Sequence, residues 1–178
     1  MSFNGYPGTS RGALYSAVTV LLLIILTVLA AYIGQLPPKV KPASAPSTEC
    51  SAARALKHIR QVASSTHPAG SFANDNVRDY IFEQLKALGV TAEIQRSVNE
   101  QGVGVYHNVL GRIPGTANTK AFAMATHYDS VPYGPGAVDD CGGLGVMLEL
   151  ARALKESTSL KNDIIFVFTD AEEFSGGG

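Results

Sequence analysis

The chain has no tryptophan, only two cysteines and almost no net charge: 14 Lys and Arg against 15 Asp and Glu in 178 residues leave -1. Without a basic excess there is no electrostatic footprint for a polyanion, so nucleic acid is not expected as a partner. Cys50 and Cys141 are too few and too far apart in sequence to make a disulfide framework. The most informative absence is local: from Gly12 to Pro38 there is no charged residue at all. At 46% hydrophobic residues, the composition fits one modest domain plus an appendage.

The uncharged stretch centres on Val18-Thr19-Val20-Leu21-Leu22-Leu23-Ile24-Ile25-Leu26. As a helix, residues 13–34 reach roughly 33 Å, enough to cross a hydrocarbon core of about 30 Å. A signal-peptide apolar core is only about 7 to 15 residues long, so a retained single-pass anchor in lipid is the expectation, over cleavage after Ala30 or Ala31. Arg11 precedes the span and Lys39 and Lys41 follow it, so charge leaves orientation open. The chain therefore divides into a tail (1–12), a transmembrane helix (13–34), a proline-rich linker (35–46) and a folded domain from 47 onward. The linker carries Pro37, Pro38, Pro42 and Pro46, which favour a stiff extended spacer.

In the domain, Ser47 is placed to cap a helix bearing Leu56, Ile59 and Val62, and a second helix runs from about Asn74 to Leu88 before Gly89. Alternating apolar residues between Thr91 and Ile113 predict two strands joined by Asn99-Glu100-Gln101-Gly102. A short apolar strand from Ala121 ends at His127, a helix spans about Cys141 to Lys155, and a buried strand runs from Asp163 to Thr169. These last three form a β-α-β unit, hence an α/β fold whose ligands bind beyond the carboxyl ends of the strands.

Three polar clusters fall at those ends: His127-Tyr128-Asp129-Ser130, Asp139-Asp140, and Glu172-Glu173. Imidazole and carboxylate are the donors of an open zinc site, and grouped carboxylates repel unless a cation lies among them. Asp129 is spaced to accept the second imidazole N–H of His127 and fix its tautomer. Taken singly, Asp139-Asp140 suits a helix N-cap and Glu172-Glu173 a solvated pair. His58, His67 and His107 are read as solvated loop residues.

The motifs His127-Tyr128-Asp129-Ser130, Gly134-Pro135-Gly136-Ala137-Val138-Asp139-Asp140 and Glu172-Glu173 resemble those of the dizinc aminopeptidases, whose relatives include membrane-anchored metallopeptidases of the endoplasmic reticulum and vacuole. His67-Pro68-Ala69-Gly70-Ser71 and Asn108-Val109-Leu110-Gly111 also look like that family. The resemblance implies a three-layer α/β/α sandwich with a mixed sheet, present as its N-terminal part. It implies two Zn2+ ions, with His127 on one, Asp139 bridging both and Glu173 on the other. Glu172 would be the general base with Asp129 in support, Asp139-Asp140 would be a cis bond, and the substrate would be a peptide cut at its N-terminus. A further Asp and a late His, expected after the Glu-Glu pair, do not occur before Gly178, and Phe174-Ser175-Gly176-Gly177-Gly178 departs from the family's usual Gly-Leu-Leu-Gly-Ser. The parent is expected to hold its domain outside the cytoplasm or in a lumen. The alternatives are a catalytically inactive truncated domain with a binding role and a glutaminyl-cyclase-like or carboxypeptidase-like relative.

Overall fold

The computed structural model describes residues 9–98, 104–117 and 120–174. The expected turn at residues 99–102, the first eight residues of the N-terminal tail and residues 175–178 fall outside them. The chain forms two compact units, residues 1–39 and 40–178.

The first unit holds helix α1 (Thr9–Gly34), of which Arg11–Gly34 is long and apolar enough to cross a membrane and buries none of its surface in protein. Its apolar residues point outward all round, as a lipid-facing helix requires. Thr19 and Thr27 hydroxyls donate to the carbonyls of Tyr15 and Leu23, one turn earlier. Both hydroxyls are therefore satisfied without water. Tyr15 and Tyr32 stand near the two ends, where amphipathic rings favour the membrane–water boundary.

The second unit is built from α2 (Ala52–Val62), α3 (Phe72–Ala87), β1 (Thr91–Val98), β2 (Val105–Ile113), β3 (Ala121–His127), α4 (Cys141–Lys155) and β4 (Asp163–Thr169). Ser51, not Ser47, caps α2: its side chain accepts the Arg54 N–H, and Ser47 lies upstream of the helix. Ser71 caps α3 in the same way through the Asn74 N–H.

The four strands form one mixed sheet in the order β1-β2-β4-β3. β1 with β2 and β2 with β4 are antiparallel, and β3 with β4 is parallel, as the β-α-β reading requires. On one face Val109, Phe166 and Phe168 are fully buried with Leu85 of α3 and Leu144 and Leu148 of α4. Each such side chain contributes roughly 1.5–3 kcal/mol by leaving water. A Cβ added at Gly111 would lie 3.1 Å from Leu85 Cδ1, so α3 rests almost directly on β2. α2 packs on α4, where a Cβ at Gly145 would meet Ile59 Cγ1 at 2.6 Å. Of the three layers of the expected sandwich, the described residues supply the sheet and one helical layer.

The proline-rich stretch is not a free spacer throughout its length. From Lys41 it is fastened to the domain by Glu149 of α4, whose side chain is 2% exposed. The Glu149 carboxylate accepts from Ser51 N–H (2.8 Å), Arg54 Nε (2.8 Å) and Arg152 Nε (2.7 Å). The two guanidinium groups then donate outward to the carbonyls of Ala43, Ala45, Ser47 and Glu49. A segment of successive turns, outside any helix or strand, thus has its carbonyls satisfied by arginine.

Candidate metal centre

β3 and β4 run parallel and end side by side, with His127 paired to Thr169. That pairing delivers His127 and the Asp170–Glu173 segment to one edge. The third group arrives with α4, whose N-cap is Asp140: its carboxylate accepts the Gly143 N–H at 2.9 Å and also bonds the Thr126 hydroxyl. Asp140 is thereby consumed as a cap, and Asp139, its side chain 84% exposed, faces the open edge. The Asp139–Asp140 bond is cis.

One donor atom each from His127, Asp139 and Glu173 lies within 4.8 Å of the others. His127 Nε2 is 3.1 Å from Asp139 Oδ1 and 3.8 Å from Glu172 Oε2. On the other side of the ring, Nδ1 is 3.2 Å from the Asp129 carbonyl and 3.4 Å from its Oδ1. A carbonyl can only accept, so Nδ1 carries the proton and Nε2 is the nitrogen directed at the acidic cluster. Burial opposes charge on this imidazole, but the hydrogen bond to Asp139 and the fields of Asp129 and Glu172 outweigh it and raise the pKa above the ordinary value. Imidazole nitrogen and carboxylate oxygen at this spacing form a donor set that suits zinc and leaves room for a further ligand.

Asp129 does more than the spacing suggested. Fully buried, it accepts the Glu172 N–H at 3.0 Å on Oδ1 and the Glu173 N–H at 3.1 Å on Oδ2. It fixes the acidic pair as firmly as it fixes the histidine. Ala171 reaches this arrangement through a left-handed backbone (φ 63°), a conformation uncommon for a residue with a Cβ.

The other histidines are not solvated loop residues. His58 lies in α2 with Nδ1 2.7 Å from the Tyr80 hydroxyl, and His107 lies in β2. His67 is 1% exposed: its Nδ1 donates to the Ser65 carbonyl, and its Nε2 faces the Cys141 thiol at 3.7 Å. The His67 N–H donates to Ser130 Oγ and its carbonyl accepts the Ser130 N–H, locking residues 65–68 to the loop after β3. Burial pushes the Cys141 thiol up to about 11, so it stays protonated. Lone histidines give no sequence signal of burial; only the His67-Pro68-Ala69-Gly70-Ser71 motif marked this one.

Residues 108–178 match peptidase family M28. The stretch that carries the site is thus similar to peptidase family M28. The chain is 33% identical over 122 residues to a vacuolar membrane protease of Candida albicans, a match covering 65% of this chain and 14% of that protein. Among solved structures it resembles a glutaminyl cyclase of Porphyromonas gingivalis, at 25% identity and TM-score 0.64 over 70% of this chain and 47% of that one. It also shares the fold of a Zn-dependent exopeptidase from Parabacteroides distasonis, at 21% identity and TM-score 0.63 over 74% of this chain and 50% of the other. The chain thus spans about one-seventh of the Candida relative and about half of each structural neighbour.

Proposed function

We propose that this chain carries part of the active site of a membrane-anchored, zinc-dependent exopeptidase that removes residues from peptide N-termini. The observation that carries the reading is the convergence of His127, Asp139 and Glu173 within 4.8 Å, with Glu172 beside them and not among the grouped donors. His127, Asp139 and Glu173 would hold the metal, two zinc ions in the complete site. Bound zinc polarises a peptide carbonyl and makes water a stronger acid at neutral pH. Glu172, its side chain 57% exposed and its backbone held on Asp129, is free to take the proton of the attacking water and return it to the leaving amine. Asp129 keeps the His127 ring and the Glu172–Glu173 backbone in register for that transfer. Helix α1, the one helix among the described residues long and apolar enough to cross a membrane, would be the lipid anchor, and the vacuolar relatives favour a lumenal domain.

In the full-length protein, Glu172→Gln is expected to keep its zinc and lower kcat for aminoacyl substrates by about 10²- to 10⁴-fold. Full turnover in that variant would remove Glu172 from the role of base. The likeness to a glutaminyl cyclase at 25% identity favours a second reading, cyclisation of N-terminal glutaminyl peptides. Release of ammonia from such peptides, with no amino acid released from others, would select it.

A further inference from the structure

The β2–β4 ladder pairs Val109 with Phe168, so its register, continued, sets Asn108 opposite Thr169 and His107 opposite Asp170. Backbone pairing is not continued there. Two side chains replace it: Asp170 Oδ2 accepts the His107 N–H at 3.2 Å, and Asn108 Oδ1 accepts the Asp170 N–H at 3.1 Å. The His107 carbonyl is taken up as well, by the Tyr128 hydroxyl at 2.6 Å. Immediately beyond this exchange, Ala171 turns left-handed and both following N–H groups reach the Asp129 carboxylate.

Asp170 is 2% exposed, and its Oδ1 is buried with no hydrogen-bond partner among the described residues. Leaving a buried carboxylate oxygen unsatisfied costs about 1–3 kcal/mol or more. An apolar residue would avoid that cost but would leave the His107 N–H without its acceptor, so the contact that Asp170 makes with β2 is what a carboxylate supplies here.

We propose that Asp170 and Asn108 form a positioning pair: by ending the β2–β4 ladder with side chains, they release the backbone to turn at Ala171 and so aim Glu172 and Glu173 at the metal edge. The inference rests on the peptidase reading above. It adds two residues that touch neither metal nor substrate and act through the backbone of the acidic pair. Asp170 does this by holding His107, Asn108 by holding Asp170 itself.

The test uses the full-length protein at saturating zinc. Asp170→Ala is expected to lower kcat by about 10- to 100-fold with KM within about two-fold, because what is lost is orientation of the base and not substrate binding. Asp170→Asn, whose amide oxygen still accepts the His107 N–H, recovers most of that loss. Asn108→Ala, which leaves the carboxylate in place, gives the same split and serves if Asp170→Ala does not fold. Wild-type kcat in folded Asp170→Ala or Asn108→Ala overturns the proposal, as does an Asp170→Asn variant no better than Asp170→Ala. A wild-type protein with no peptidase activity refutes the underlying function instead, so the two failures are distinct.

Discussion

His127 is where a proton and a metal compete for one nitrogen. Asp139, Asp129 and Glu172 raise its pKa despite burial, so the imidazolium persists to higher pH than in a free histidine. Zinc affinity is therefore expected to fall as pH drops through that raised pKa, with proton release on binding. Calorimetric zinc titrations in buffers of different ionisation enthalpy would measure both; affinity and proton release independent of pH would contradict the assignment of Nε2 as a ligand. In the metal-free protein the sign reverses. A group with a raised folded pKa stabilises the fold at low pH, and that contribution is lost as pH rises through the folded value. The residues of this site were legible because they form motifs. Asp170, Asn108 and His67 were less so, because their significance lies in what they bond across the sheet or between loops.

At the level of elements, α4 serves two ends of the domain at once. Its N-terminus carries the Asp139–Asp140 corner, and nine residues past the cap Glu149 gathers Arg54 and Arg152 to bind the segment after Lys41. Removing one partner of a buried ion cluster costs about 3–5 kcal/mol. Glu149→Ala is accordingly expected to lower the unfolding free energy by about that amount, and to expose residues 41–50 to proteases. Burial works to raise the Glu149 pKa, but the bonds from Arg152, Arg54 and Ser51 prevail and lower it. Its stabilisation is therefore present above the ordinary glutamate range and lost as pH falls through the lowered value. Limited proteolysis at a series of pH values reads the loosening; a segment equally protected in Glu149→Ala and wild type would rule the clamp out. Sequence reading found the helix but set its neighbour's cap at Ser47, four residues early, because Ser47 and Ser51 are equivalent locally. Packing of Ser51 against Glu149 decides between them.

For the molecule as a whole, the division at residue 39 separates a helix long and apolar enough to cross a membrane from a domain with its own core. The full chain is expected in the membrane fraction after an alkaline wash. Deleting residues 1–39 should move the domain to the soluble fraction without altering its fold. Retention of the deleted form on membranes would locate a second attachment in the domain. Ile165 and Val167 of the central strand β4 stay partly exposed on the sheet face opposite α3 and α4, and Ala123 and Ala125 of β3 lie exposed beside them.

The sequence alone determined the apolar span, the β-α-β unit and the identity of the acidic and histidine motifs, since each is a local pattern of periodicity, charge or spacing. It could not determine that Asp140 caps while Asp139 faces the open edge, because adjacent identical residues differ only in the direction the backbone gives them. Nor could it show that a proline-rich stretch is bound to α4, or that Asp129 holds two N–H groups some 43 residues downstream. Those facts depend on long-range pairing across the sheet and around one buried glutamate, which no local pattern encodes.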